Sequence, residues 1–345
     1  MITGERLELR WVITGVIVLL AAAVAGLTIG QSSIAAVDAL KEVADRLPLV
    51  SVDSGLTDIQ KNIVWEVRVP RVLLGGMVGA SLAVAGGGYQ AVFRNPLADP
   101  FLLGAAAGAG VGATVAIAYG IGDGVGGLDP VPMLAFIGAM FAVLLSWVVG
   151  SAAQQRSAAS LLLAGVAVAS FLTAVQTFIL QRNAEVIRQV YTWLLGRLTT
   201  ATWDEVRLIA PYFIVSSVIV IGLRRVLDVM RVGDAEATSL GIRPGVVRGV
   251  VVVAASLGTA AAVAVSGLIA FVGLIGPHTI RLLVGASNRV VLPLALLFGA
   301  AFLIGADVVA RNAVDQGEVP IGVITAFCGA PFFLMVLRTS RRLVA

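Results

Sequence analysis

The chain has 345 residues, 59% of them hydrophobic and 13% charged, with a formal net charge of +4. Soluble domains carry about 25% charged residues, and half that share cannot cover a water-facing surface, so a soluble globule is excluded. The basic balance comes from arginines in short loops, with no basic run interleaved with aromatics, so nucleic acid is not an expected partner.

Apolar runs of about 20 residues, the length that crosses hydrocarbon, fall near 12–30, 72–92, 101–120, 131–150, 159–181, 206–224, 247–265, 267–285, 291–310 and 319–337. The first follows Arg6 and Arg10 and exceeds a signal-peptide core of roughly 7–15 residues, so it reads as an uncleaved first helix. Next comes a charged stretch, 31–66, with Asp38, Lys41, Glu42 and Asp45. It reads as an extracytoplasmic loop holding one short helix near 34–46. In the second span Gly75, Gly79, Ala83 and Gly87 recur every four residues. In the third, Gly104, Gly108 and Gly112 do the same. That spacing puts small residues on one helix face, where another backbone can approach closely. Gly108, Gly110 and Gly112 are not a nucleotide loop, because no strand precedes them and no acidic ribose partner follows.

Between these spans the hinge RNPLADP carries two prolines where a helix break is tolerated, and Asp99 is positioned to cap the third helix. The seventh and eighth runs nearly merge around Ser266 and Gly267, so the count is about ten. The inner stretch LRRVLDVMRVGDAEATSLGIRPG is polar; Asp234 can cap a short helix through Leu240, which Gly241 can end. Cys328, the single cysteine, sits inside an apolar run and reads as a small packing residue. Without linkers or low-complexity tracts, residues 1–345 form one membrane domain. With ten spans and both ends on one side, fourteen of the 24 basic residues share that side, which makes it cytoplasmic.

Lys41 and Lys61 are the only lysines and neither follows a GxxxxG loop, so the chain has no phosphate cradle and is not an ATPase. Ion-coupled transport generally uses mid-membrane acids, and the spans are almost free of them. Asp307 lies near an outer end beside Arg311 and reads as half of an interfacial pair. His278 is the only histidine, which rules out HExxH and Ser-His-Asp sets; it reads as structural, bonding backbone freed at Pro277. No catalytic residue, metal site or bound cofactor is assigned to the chain.

Several motifs in order resemble the FecCD-type permeases, the membrane subunits of ABC importers for iron–siderophores, haem and vitamin B12. They are VRVPRVLLGG and GASLAVAGGGYQAVFRNPLADPFLLG, LLLAGVAVAS at 161–170, DAEATSLGI, GLIAFVGLIGPHTIRLLVG at 267–285, and EVPIGVITAFCGAPFFLMVLR at 318–338. The resemblance implies an all-α polytopic membrane protein of about ten transmembrane helices, the BtuC-like type II importer permease fold. It implies a homodimer, two separate ATPase subunits that hold the ATP and magnesium, and an extracytoplasmic substrate-binding protein. The setting would be a bacterial cytoplasmic membrane.

Residue by residue, the resemblance makes Arg68, Arg71 and Arg311 an exposed arginine ring that receives carboxylates of the binding protein; snorkelling interfacial arginines are the plainer alternative. It makes 225–246 a cytoplasmic coupling segment, with Asp228, Arg231, Gly233, Asp234, Ala235, Glu236, Ser239, Leu240 and Gly241 seating in the ATPase. Asn95, Pro96 and Leu97 correspond to a cytoplasmic gate. Ala158 and Ala159 stand where some members carry polar gate residues. The expected cargo is a ferric siderophore, with haem or cobalamin as alternatives and an ion-coupled secondary transporter as the rival class.

Overall fold

A computed structural model describes residues 7–30, 34–46, 51–121, 129–152, 158–314 and 317–340, with backbone alone at 158 and 337–340. Of the fourteen basic residues counted on one side, Arg6, Arg156, Arg341 and Arg342 lie outside the described residues. In lipid every backbone polar group must be bonded internally, and the described chain meets this with helices throughout. They are α1 (Leu9–Thr28), α2 (Ala36–Asp45), α3 (Asp58–Phe93), α4 (Ala105–Ala118), α5 (Pro130–Ala152), α6 (Ala158–Arg182) and α7 (Ile187–Leu194). There follow α8 (Trp203–Gly222), α9 (Arg224–Met230), α10 (Asp234–Ser239), α11 (Pro244–Ser266), α12 (Val272–Val284), α13 (Asn288–Asn312) and α14 (Ile321–Ser340).

Seven of these are long and apolar enough to cross a membrane, and α4, α12 and Ile321–Val336 of α14 are shorter apolar helices. Each of the ten apolar runs therefore carries one helix, and two of the short ones start late. The run at 101 becomes helical only at Ala105, after Gly104 turns left-handed at φ 81°. Gly104 is thus a turn residue, and its assignment to a helix-packing face is corrected. The run at 267 becomes helical only at Val272, because Gly267 ends α11 at φ 69° and Phe271 is itself left-handed at φ 70°. Arg197 N–H donates to Ser266 O at 2.8 Å, and the Trp193 carbonyl occupies the space that a Cβ at 267 would need. The near-merger in sequence is a break in space.

The stretch 31–66, expected as an outer loop, holds two helical pieces among its described residues. Helix α2 matches the short helix foreseen there, but α3 already begins at Asp58, where Thr57 and Gln60 form a reciprocal capping box. Residues Ile63–Arg68 form a π-turn in which Val69 N–H reaches back to Val64 O. Pro70 has no N–H to donate and its ring crowds the preceding carbonyls, so a widened turn ahead of it is a low-strain solution.

Helix α3 is the axis of the fold. From Val69 to Phe93 almost every residue is buried, and it packs against α13, α11, α12 and α8. Small residues permit this. A Cβ on Gly79 would overlap the Gly299 carbonyl of α13, and one on Gly86 the Gly273 carbonyl of α12. Gly87 faces Leu292 and Pro277, while Gly75 meets the tip of Leu198. In α4, Gly108 and Gly112 lie against the Gly138 and Leu134 carbonyls of α5. By contrast α1 lies at the periphery with 6% of its apolar window buried. Helices α6 and α14 leave Leu163, Phe171, Phe178, Phe327 and Leu334 exposed. Cys328 is also exposed, which corrects its reading as a packing residue: it sits on the open face of α14.

Candidate functional site

Just past the π-turn of α3, Arg71 is bound on two sides. Its Nε lies 3.1 and 3.0 Å from the Asp307 carboxylate oxygens, and its Nη2 is 2.8 Å from Asp307 Oδ1. The same guanidinium donates to Glu318 at 3.0 and 2.6 Å. Asp307 also takes Arg311 at 3.2 Å, one helical turn away on α13. Arg311 Nη2 donates to Gly26 O at 3.1 Å, and Arg68 Nη1 to Leu27 O at 2.6 Å. The cluster thus ties α1, α3, α13 and the approach to α14 together.

Arg68, Arg71 and Arg311 are 4%, 7% and 7% exposed. The picture of an exposed ring of free guanidinium groups is therefore corrected: these arginines are buried and bonded internally. Such burial is tolerable only because the charges are paired and their donors filled. Sequence reasoning found Asp307 and its Arg311 partner, and missed Glu318 and the cross-helix pairing to Arg71. A basic residue about 240 positions away offers no local spacing signal.

At its C-terminal end α3 stops at Arg94, which is left-handed at φ 50°. Asn95 Oδ1 then accepts from Leu97 N–H at 2.9 Å, an Asx turn, while Pro96 and Leu97 are exposed. Asp99 does the same for Phe101 N–H at 2.8 Å. Since α4 starts only at Ala105, with Gly104 as its N-cap, Asp99 shapes the hinge and does not cap the helix. Burial pushes its carboxyl up to about 6, partly offset by that hydrogen bond. Gln90 braces the hinge by donating to Ala98 O and Gly273 O at 3.2 and 3.1 Å, and it accepts from Arg281.

The segment after α8 divides into residues turned inward and residues turned out. Asp228 faces α13: it accepts from Asn288 N–H at 2.5 Å, Ser287 Oγ at 2.6 Å and Arg289 N–H at 3.3 Å. It thereby supplies from α9 the cap that the first turn of α13 lacks. Arg231 Nη1 donates to Ala286 O at 2.5 Å. Asp234 opens α10 without capping it; Gly233 is the cap residue, in extended backbone, and Asp234 binds Arg94 and Arg248 instead. The end of α10 is as foreseen. Gly241 is left-handed at φ 78°, its N–H meets Thr238 O at 2.9 Å, and Ile242 N–H meets Ala237 O at 3.0 Å. This is a Schellman closure. Ala237 is buried, whereas Ala235, Glu236, Ser239 and Leu240 are exposed, Leu240 by 69%. His278 stands edge to face with Phe332 of α14 at 5.8 Å.

An all-helical membrane bundle built on a glycine-lined central helix, with a charged clasp at each end, is a multi-pass permease architecture. Its family follows from comparison with known proteins. The FecCD transport family matches residues 17–339, and the chain belongs to it. It is 38% identical over 284 residues to the cobalamin import permease BtuC of Halobacterium salinarum, covering 82% of this chain and 75% of that one. It is 35% identical to the Fe(3+)-citrate import permease YfmD of Bacillus subtilis, across 92% of this chain and 91% of that one. A solved inward-facing structure of a transporter assigned to the metal-chelate ABC type superposes with a TM-score of 0.83 at 28% identity, covering 96% of this chain and all of that one. The protein is an ABC importer permease with the BtuC-like fold.

Proposed function

We propose that this permease carries a ferric chelate of the siderophore class across the cytoplasmic membrane as a homodimer, with both termini inside. Two separate ATPase subunits drive it and an extracytoplasmic binding protein delivers the cargo, so the chain itself needs no cofactor and performs no catalysis. The observation that carries this reading is that α13 runs from the Arg71–Asp307–Arg311 cluster at one end to the Asp228 clasp at the other. A single rigid helix then links the outer docking end to the inner driven end, as an importer pushed from below requires.

At the inner end, the coupling segment 225–246 would present Glu236, Ser239 and Leu240 to the ATPase, while Asp228, Arg231 and Asp234 hold it to the bundle. At the outer end, docking would work by exchange. A carboxylate of the binding protein would compete for Arg71, with Arg68 and Arg311 adding positive potential, and Glu318 would yield because its side chain is 29% exposed. Asn95, Pro96 and Leu97 would narrow the inner mouth. The open apolar faces of α6 and α14 supply surface for a second copy around a shared path, and weakly binding walls there would let cargo leave.

Cobalamin is the second reading, favoured by the 38% identity to a cobalamin permease. The deciding experiment measures ATPase stimulation in the reconstituted complex, with ferric siderophore, haem and cobalamin each presented on the cognate binding protein. Stimulation by the siderophore alone supports the first reading, and stimulation by cobalamin alone replaces it. Solute accumulation by this chain in vesicles without ATPase subunits would end both.

A further inference from the structure

The inner face holds a cavity of about 290 Å³ between the end of α3, α9 and the junction of α12 with α13, lined by Arg94, Arg231, Arg281 and Asn288. Charge around it is unbalanced. Arg94 and Arg248 share Asp234, while Arg231 and Arg289 share Asp228. Arg281 has no carboxylate within ion-pair distance among the described residues; it donates to Gln90 Oε1, leaving most of its five N–H groups uncommitted. Asn288 is 1% exposed and its amide nitrogen has no hydrogen-bond partner. A buried donor left empty costs about 1–3 kcal/mol, so a ligand that fills it has a ready gain.

The nearby acceptors are already used. Met230 O takes Arg94, Ala286 O takes Arg231, and Gln90 Oε1 takes Arg281. The cavity therefore offers positive charge and N–H donors from several sides. Cations are disfavoured by charge. A planar carboxylate presents two oxygens in one plane, whereas three guanidinium groups and a separate amide suit a tetrahedral group with more oxygens.

The geometry points to a phosphoryl-anion site, with Arg94, Arg231 and Arg281 on the phosphate oxygens and Asn288 Nδ2 as the neutral donor. Basic pockets between membrane helices on the cytoplasmic side take anionic lipid headgroups, and free inorganic phosphate offers the same chemistry. Either would join the hinge at Arg94, the segment at Arg231 and the end of α12 at Arg281, making their relative positions sensitive to occupancy. The inference does not depend on the cargo.

The test uses the purified full chain in neutral detergent, following thermal unfolding against inorganic phosphate, with sodium chloride at equal ionic strength as control. A parallel arm compares retention of phosphatidylglycerol and phosphatidylcholine by native mass spectrometry. A saturable rise in Tm with phosphate, weakened about tenfold or more in Arg281→Gln, identifies free phosphate as sufficient. Selective retention of phosphatidylglycerol, lost in that variant, identifies a lipid source. Because Arg281 also holds Gln90, Asn288→Asp is the second variant. It places a carboxylate among the guanidinium groups and should remove both responses while the chain still folds. No response beyond the salt control together with no headgroup preference overturns the site, as do responses unchanged in both variants.

Discussion

Asp228 of α9 accepts a hydrogen bond from the backbone N–H of Asn288, the first residue of α13, at 2.5 Å. A carboxylate at a helix N-terminus meets both unpaired N–H groups and the positive end of the helix dipole. The segment after α8 is thereby fastened to α13, whose far end carries Asp307 and Arg311.

Asp228→Ala should lower stability by about 2 kcal/mol, the scale of a lost cap with a charged acceptor. In the assembled transporter it should separate ATP hydrolysis from transport, with basal hydrolysis retained and uptake reduced. Thermal unfolding and a paired hydrolysis–uptake assay check this; normal uptake would show that α13 moves without the clasp.

The two carboxylates around Arg71 should behave differently. Asp307→Asn leaves buried guanidinium charge undercompensated and should cost about 3 kcal/mol or more. Glu318→Gln removes a partner that is 29% exposed, so it should cost under about 1 kcal/mol while tightening the binding protein several-fold in a surface-binding assay. Equal or weaker docking would remove the exchange mechanism. Charge reversal at Arg68 and Arg71 is the poorer experiment, because the fold itself uses both.

Gly79→Val should block assembly of the bundle, since the added Cβ would strike the Gly299 carbonyl, and backbone cannot rotate aside. Gly76→Ala is the control: its Cβ would meet Ile304 Cδ1 at 3.5 Å, an ordinary contact. The measurement is the yield of monodisperse protein, low for the first and near wild type for the second.

Asp99 gives a pH signature. Its carboxyl titrates at about 6 when folded against 3.8 ordinarily, so between those values the folded chain binds more protons than the unfolded one. Stability should fall as pH rises from about 4 to about 6, and Asp99→Asn should flatten that slope. An unchanged slope in the variant would assign it elsewhere.

The apolar runs by themselves determined ten helices and nearly where each lies, because the cost of exposing backbone in hydrocarbon is set residue by residue along a run. Glycine spacing located the faces at Gly79, Gly108 and Gly112, and Gly241 marked the end of α10, since local geometry alone decides such positions. Tertiary structure decided the rest. That Gly86, off the four-residue register, meets Gly273 depends on which helix arrives. That Arg71 is buried between Asp307 and Glu318, and that Asp228 caps a helix sixty residues on, depends on side chains brought together from distant segments. Burial and pairing belong to the assembled bundle, and a string of residues does not carry them.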